Sequence, residues 1–469
     1  MLGFAKSARG YGLRLTPGNS LLPVGCNRMQ RNGSDRILFA IAVAWIWFVM
    51  TGLRMPWQPI VRGEEGGSGG GAIRQVFFLG CSGWAIYRMM AMGAYNQIVG
   101  HFIPAAFIAV TLVASVLWSN DTTLTIKRSI IHVLGFHVLI AMIANSRWPL
   151  NVMMKTTVYT VGISAFISFG AMIALPANCT SNPIRPGLAG VTIHPNNYGP
   201  CLYMAILMSF GVITFSPREK TFLRACRVMM LICMMLTNSM TATVAMFAAI
   251  GFYVMLTVSS YRAGLLQVGA VAGMLLIQLI GVDNLKKAFF EASGRDENLS
   301  GRDVLWSSVY NEGLKKPIFG SGYGSFWYEG RGLEITGTWN PRQSHNAYLD
   351  IFVDLGIVGL LFWMWFTHSR MGLAWLHWAG ERGTRRRNAI SANLAMALTL
   401  CWVGAFGESF FLKFDKFQFF VFYWMVLIFH NRDANSLFNE FDEIDRVHPP
   451  DDDKRRPMRT NLGSLSVGR

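Results

Sequence analysis

The chain has 469 residues, of which 52% are hydrophobic and only 14% charged, and it carries a formal net charge of +16. That balance excludes an ordinary soluble domain and a disordered polymer, both of which need a larger polar share. It describes a polytopic membrane protein, and the apolar runs have the length of spanning helices rather than of barrel strands.

Residues 1–36 are basic and contain glycine, and they lack the apolar core of a signal peptide, so they read as a flexible cytoplasmic extension. From 37 to 430 the hydropathy predicts an all-α transmembrane bundle. Its spans number about twelve by the length a bilayer requires, at 37–53, 73–93, 103–118, 129–144, 153–175, 199–213, 228–237, 242–257, 264–281, 346–366, 390–407 and 419–429. With the N-terminus inside, the inner segments hold 25 basic residues and the outer ones sixteen, which places +14 of the net charge on the inner face and +3 outside. The basic balance is therefore topological, with both termini cytoplasmic, and it suits contact with anionic lipids. No nucleic-acid-binding motif competes with that reading.

The seven cysteines are scattered, with no zinc spacing. Cys179 and Cys201 map near the outer face, and either a pair or two free thiols is open. Between 282 and 345 the apolar pattern gives way to a long outer loop with eight acidic and eight basic residues. Its aromatic residues include Trp306, Tyr310, Phe319, Tyr323, Phe326, Trp327, Tyr328 and Trp339. They suit either a small packed lid whose rings face sugars or an interfacial belt. The segment 431–469 mixes DDD, KRR, Pro and Ser without helical periodicity and reads as a disordered cytoplasmic tail; its Asp451–453 run lacks the context of a metal site.

Within and just after the long loop stand SGRDVLW, KKPIFGSGYGSFW and HNAYLDIFVDLGIVG, and before it come SVLWSNDTTLTIKRS, GVTIHPNNYGP and TNSMTATVA. In this order and spacing, over 103–429, they resemble the signature of the O-antigen ligase and O-antigen polymerase family, most of all its exopolysaccharide-polymerising branch. The resemblance implies a GT-C-like membrane glycosyltransferase on the bacterial inner membrane. Its donor would be a glycan on a polyprenyl (undecaprenyl) diphosphate and its acceptor another glycan, with ligation to a lipid or protein acceptor as the alternative. It would work with inversion and with neither bound metal nor cofactor, alongside a flippase and a chain-length regulator as partners. Two positions depart from the family pattern. Met240 stands where the family turn often has arginine, and the arginine nearest to Gly190 is Arg185, five residues earlier and followed by Pro186.

The residues support the same chemistry independently. Cleaving an anomeric carbon from a diphosphate leaves charge on phosphate oxygens, which a guanidinium stabilises through bidentate hydrogen bonds. Arg302 is the first candidate, with Arg185 and Arg295 next; pairing of Arg302 with Asp303 or another loop carboxylate is the structural alternative. The attacking hydroxyl needs orientation and deprotonation, and His345 at the outer boundary suits both. His194 is a weaker candidate that could instead hold a loop carbonyl. Trp306, Asn346 and Asp350 are candidates for binding the donor or acceptor. Asp350 and Asp354 lie one turn apart on one helix face of a span, where ionisable groups turn to the protein interior. Three roles are open to them: positioning His345, positioning a loop arginine, or pairing with Arg88. His132 and His137 read as buried polar contacts. Gly320, Gly322 and Gly324 permit left-handed backbone and a turn against sugar or phosphate. A transporter of lipid-linked glycan is the alternative from another class. It should show related halves and a midplane site, whereas the polar candidates gather at one outer boundary.

Overall fold

The computed structural model describes residues 28–51, 71–91, 93, 95–146, 148–180, 187–192, 194–257, 302–337, 340–378, 384–431 and 434–447. Among them the protein is all-helical, with a lone antiparallel bridge between Thr180 and Leu188. The helices before the long loop are α1 (Arg28–Thr51), α2 (Gly71–Ala91), α3 (Tyr95–His101), α4 (Ile103–Ala114), α5 (Thr122–Asn145), α6 (Pro149–Ala174), α7 (Pro176–Cys179), α8 (Pro195–Ser209), α9 (Pro217–Leu236) and α10 (Met240–Thr257). Then follow α11 (Arg302–Gly313), α12 (Arg331–Thr336), α13 (Ala347–Trp378) and α14 (Thr384–Thr399). A π-helical turn (Leu400–Gly404) leads into the single turn α15 (Ala405–Gly407), and α16 (Phe417–Asn431) and α17 (Ala434–Val447) complete the set.

The sequence sets where these helices begin. Asp121 accepts the Leu124 amide at 2.9 Å to start α5, and Ser216 accepts that of Glu219 at 3.1 Å to start α9, side-chain oxygens replacing partners the first turn lacks. Packing then selects the centre of the bundle. Every residue of α16 from Phe419 to Phe429 is buried, and α8 is buried along almost its whole length. A small satellite core of Leu305, Val309, Phe326, Trp327, Phe352 and Val353 joins the long loop to α13.

Five helices are long and apolar enough to cross a membrane: Thr122–Asn145, Pro149–Ala174, Met240–Thr257, Ala347–Ser369 and Arg387–Gly407. Shorter apolar helices are Phe39–Thr51, Ile103–Trp118 and Phe417–His430. The expected dozen is thus not reached among the described residues. The span expected at 264–281 lies outside them, α8 has 15 residues, and α9 carries Arg218, Glu219, Lys220, Arg224 and Arg227 between its start and its middle.

Two sequence expectations change here. The segment after 430 is helical over Ala434–Val447 because it carries an amphipathic pattern that was passed over. Phe441 and Ile444 enter the core, and buried Glu440 accepts the Asn151 amide at 3.0 Å, capping α6 from outside its own chain segment. Cys179 and Cys201 are both buried and form no disulfide, so the pairing left open is not made.

The helix α13 is broken at Gly356, where φ is 67° and ψ is −170°. Residues 317–322 of the loop fill the break. Ser321 and Gly322 donate to the Val353 and Asp354 carbonyls at 2.9 Å each, and Ile357 donates to the Pro317 carbonyl at 2.8 Å. Irregular backbone at a span is tolerated when protein supplies its hydrogen bonds in this way. The long loop is thereby stitched to the helix that follows it.

Candidate active site at the loop end of the bundle

Arg302 opens α11, and its Nη1 donates to the Gly407 carbonyl at 2.7 Å. Its Nη2 lies 3.9 Å from Glu408 Oε1. The other carboxylate oxygen of Glu408 is 3.5 Å from His345 Nδ1. One carboxylate therefore stands between the two residues singled out from the sequence. The Arg302, His345 and Glu408 side chains are 21%, 26% and 14% exposed, partly shielded yet open to a ligand.

The backbone around His345 is held from several sides. His345 itself has φ of 54°, the left-handed region that non-glycine residues enter rarely and mostly where function or packing demands it. Next to it, Asn346 caps α13, its Oδ1 accepting the Tyr348 and Leu349 amides at 3.1 Å each. The Asn346 amide is 3.1 Å from both Ser344 Oγ and Ser409 Oγ. Trp306 Nε1 donates to the Ser344 carbonyl at 2.8 Å. Thus Gly407, Glu408 and Ser409 hold Arg302, His345 and Asn346 in turn.

Beneath this layer lies a buried charge network. Asp350 accepts from Lys413 Nζ at 2.8 Å, from Trp327 Nε1 at 3.0 Å and from the Ser344 amide at 3.0 Å. Asp354 Oδ1 accepts the Phe326 amide at 3.3 Å, and Arg128 donates to the Gly324 carbonyl. A cavity of about 20 Å³ lies among Arg128, Tyr323, Asp350, Asp354 and Lys413, room for about one water. Toward the loop tip, Lys315 and Arg331 hold the Glu312 carboxyl below the usual carboxylate range, against the opposing effect of burial. The hydrogen bond from Tyr328 to Glu334 pushes the Tyr328 hydroxyl up.

Several sequence expectations can now be placed. Arg302 and His345 come together, while Arg185 and Arg295 lie outside the described residues. Trp306 orients the turn that carries His345. Asn346 and Asp350, read as candidates for substrate binding, have their oxygens taken by amides, Trp327 and Lys413, which makes them supports of the site. Asp350 pairs with Lys413 and not with Arg88. His194 caps α8, its Nδ1 accepting the Asn196 amide at 3.1 Å. Buried His137 lies 2.9 Å from the Tyr95 hydroxyl, and buried His132 sits among Tyr323, Phe414, Phe419 and Tyr423. The three glycines do adopt positive φ of 66°, 95° and 69°, but they pack against protein. A Cβ on Gly320 would lie 2.5 Å from the Asp354 backbone, and one on Gly322 would lie 2.6 Å from Ser119.

The sequence reading missed Glu408, Ser409, Lys413 and Arg128. The first three sit in GESFFLKFDK, which looks like a plain connection between two apolar runs; a carboxylate followed by two lysines beside an outer boundary was the available signal. The GVTIHPN and TNSMTA motifs meet as well. Ser239 Oγ donates to Asn196 Oδ1 at 2.9 Å, and Thr241 backs onto Gly407, whose Cβ would lie 2.7 Å from it. Motifs far apart in the chain thus converge on one end of the bundle. Among the described residues no group of three or more His, Cys, Asp or Glu is arranged to hold a metal ion.

The O-antigen ligase family model matches residues 225–364, which include Arg302 and His345. The chain is also 22% identical, over 303 residues, to the exopolysaccharide production protein ExoQ of Rhizobium meliloti (strain 1021), covering 59% of this chain and 67% of that protein.

Proposed function

We infer, from its similarity to the O-antigen ligase family model and to an exopolysaccharide production protein, that this chain is a glycosyltransferase that lengthens a polysaccharide at the outer face of the bacterial inner membrane. The donor in this reading is an oligosaccharide on a polyprenyl diphosphate, and the acceptor is a sugar hydroxyl of another repeat unit. The single observation that carries it is the meeting of Arg302 and His345 across Glu408 at the loop end of the bundle.

The acceptor oxygen attacks the anomeric carbon, the bond from that carbon to the diphosphate oxygen breaks, and the configuration inverts. Arg302 stabilises the charge that grows on the diphosphate, an interaction worth most where water is partly excluded. His345 takes the acceptor proton as general base. Trp306 lies where an aromatic face can meet a sugar ring, with the loop 282–345 acting as a lid; Arg185 and Arg295 are further candidates for the diphosphate. Asn346 and Asp350 act by positioning His345. Both termini are cytoplasmic in this reading, and a flippase and a chain-length regulator are its expected partners.

The test is full-length protein in nanodiscs with polyprenyl diphosphate oligosaccharide extracted from producing cells, in EDTA, scored by glycan length. Longer chains are the expected result. Transfer only to an added lipid or protein acceptor would make it a ligase, the activity for which the matching family is named. Transbilayer movement with no transfer would overturn the enzyme reading.

A further inference from the structure

Glu408 is a partly buried carboxylate whose contacts are longer than those of several other acids among the described residues. Lys155 is 2.6 Å from Glu219, Lys413 is 2.8 Å from Asp350, and the Asn151 amide is 3.0 Å from Glu440. Those are distances of closed, charge-assisted pairs. Glu408 by contrast stands 3.9 Å from Arg302 and 3.5 Å from His345, and its buried Oε1 has no hydrogen-bond partner. A carboxylate oxygen buried without a partner needs an explanation, and catalytic sites are where such groups are retained. Catalytic hydrogen bonds are commonly long in ligand-free structures and tighten once substrate is bound.

Position supports the same conclusion. The Glu408 amide donates to the Gly404 carbonyl at 2.9 Å, so the residue is anchored at the end of the turn after the π-helical segment. Its neighbours Gly407 and Ser409 hold Arg302 and the Asn346 amide. The carboxylate thus approaches the imidazole from a fixed direction, on the Nδ1 side. A proton on Nδ1 directed at Glu408 leaves Nε2 as an acceptor facing away. Gln343 Nε2, 3.4 Å from the same Nδ1, favours the opposite tautomer when it donates. Among the described residues, Glu408 and Gln343 are the side chains within 3.5 Å of His345 Nδ1.

We propose that Glu408 is a positioning residue for glycan transfer: it holds the Nδ1–H of His345 so that Nε2 accepts the proton of the acceptor hydroxyl, and it balances the imidazolium that forms. The proposal rests on the transfer reading above. The hydroxyl O–H bond breaks as the new glycosidic C–O bond forms, the proton passes to Nε2, and the departing diphosphate takes the electron pair of the broken bond. From Nε2 the proton passes to that diphosphate, which restores neutral His345 for the next cycle.

The test compares Glu408→Gln and Glu408→Asp with wild type in nanodiscs, using the same extracted lipid-linked oligosaccharide. Glu408→Gln keeps shape and can still accept the Nδ1–H through its amide oxygen, but it removes the charge. Its kcat should fall by roughly 10²-fold, the loss typical when the orienting partner of a functional histidine is removed, with KM within about twofold. Glu408→Asp keeps the charge one methylene further away and should recover about tenfold of that loss. Wild-type thermal unfolding temperatures for both variants mark the effect as one on the reaction. Should Glu408→Gln not accumulate, Glu408→Asp alone carries the test, with reduced kcat at unchanged KM. A Glu408→Gln rate equal to wild type overturns the proposal, as does a loss confined to KM or equal impairment of both variants. Absence of elongation by the wild-type protein would overturn the transfer reading itself, a distinguishable failure.

Discussion

Arg302 reaches the Gly407 carbonyl with one terminal nitrogen and faces Glu408 with the other, a division that needs a planar fork. Lysine has a single ammonium and cannot hold the carbonyl while facing the carboxylate. Arg302→Lys is therefore expected to lower elongation at least tenfold, and His345→Ala to abolish it, with membrane insertion unchanged; elongation assays and yields of inserted protein check both. Arg302 and His345 stood out as candidates because both sit within recognisable motifs. Glu408 was not legible. It lies 63 residues beyond His345 in a stretch without periodicity, and only the return of the chain after α14 brings it across.

At the scale of elements, the hydropathy of residues 346–366 announces a span but hides its interruption, because the surrounding residues remain apolar on both sides of Gly356. The glycines of GSGYGSF suggested a turn for ligand phosphate or sugar, yet they let the loop lie against Ser119 and the backbone of α13. The need for them is positional: a side chain at Gly356 would drive into the Ile318 carbonyl while its backbone holds φ of 67°. Gly356→Ala should cost about 2–4 kcal/mol, combining left-handed strain with the overlap. It should also free residues 317–322, which hydrogen exchange would register as lost protection of the Ser321 and Gly322 amides. Retention of protection would refute the role given to the break.

Across the whole molecule, hydrophobic content sufficed to read a helical protein with membrane-spanning helices, and motif order gathered the candidate residues at one end. The number of spans was less legible, since helices such as α8 and α9 are kept in the bundle by packing and capping and not by length or apolarity alone. The two ends nevertheless separate: α17 caps the start of α6 at one, while residues 302–346 and 404–416 meet at the other. A reporter inserted at Gly330 should be accessible from outside, and one fused after Val447 only from within; the same accessibility for both would refute the proposed orientation. The π-helical turn at Leu400–Gly404 gives this end its particular registry. Such a turn accommodates one residue more than an α-helix of equal rise, and each helical residue turns the chain by about 100°. That surplus residue sets the angle at which Gly407, Glu408 and Ser409 leave the bundle. A one-residue deletion within the turn would rotate all three together, preserving every side chain of the site in the sequence while separating them in space.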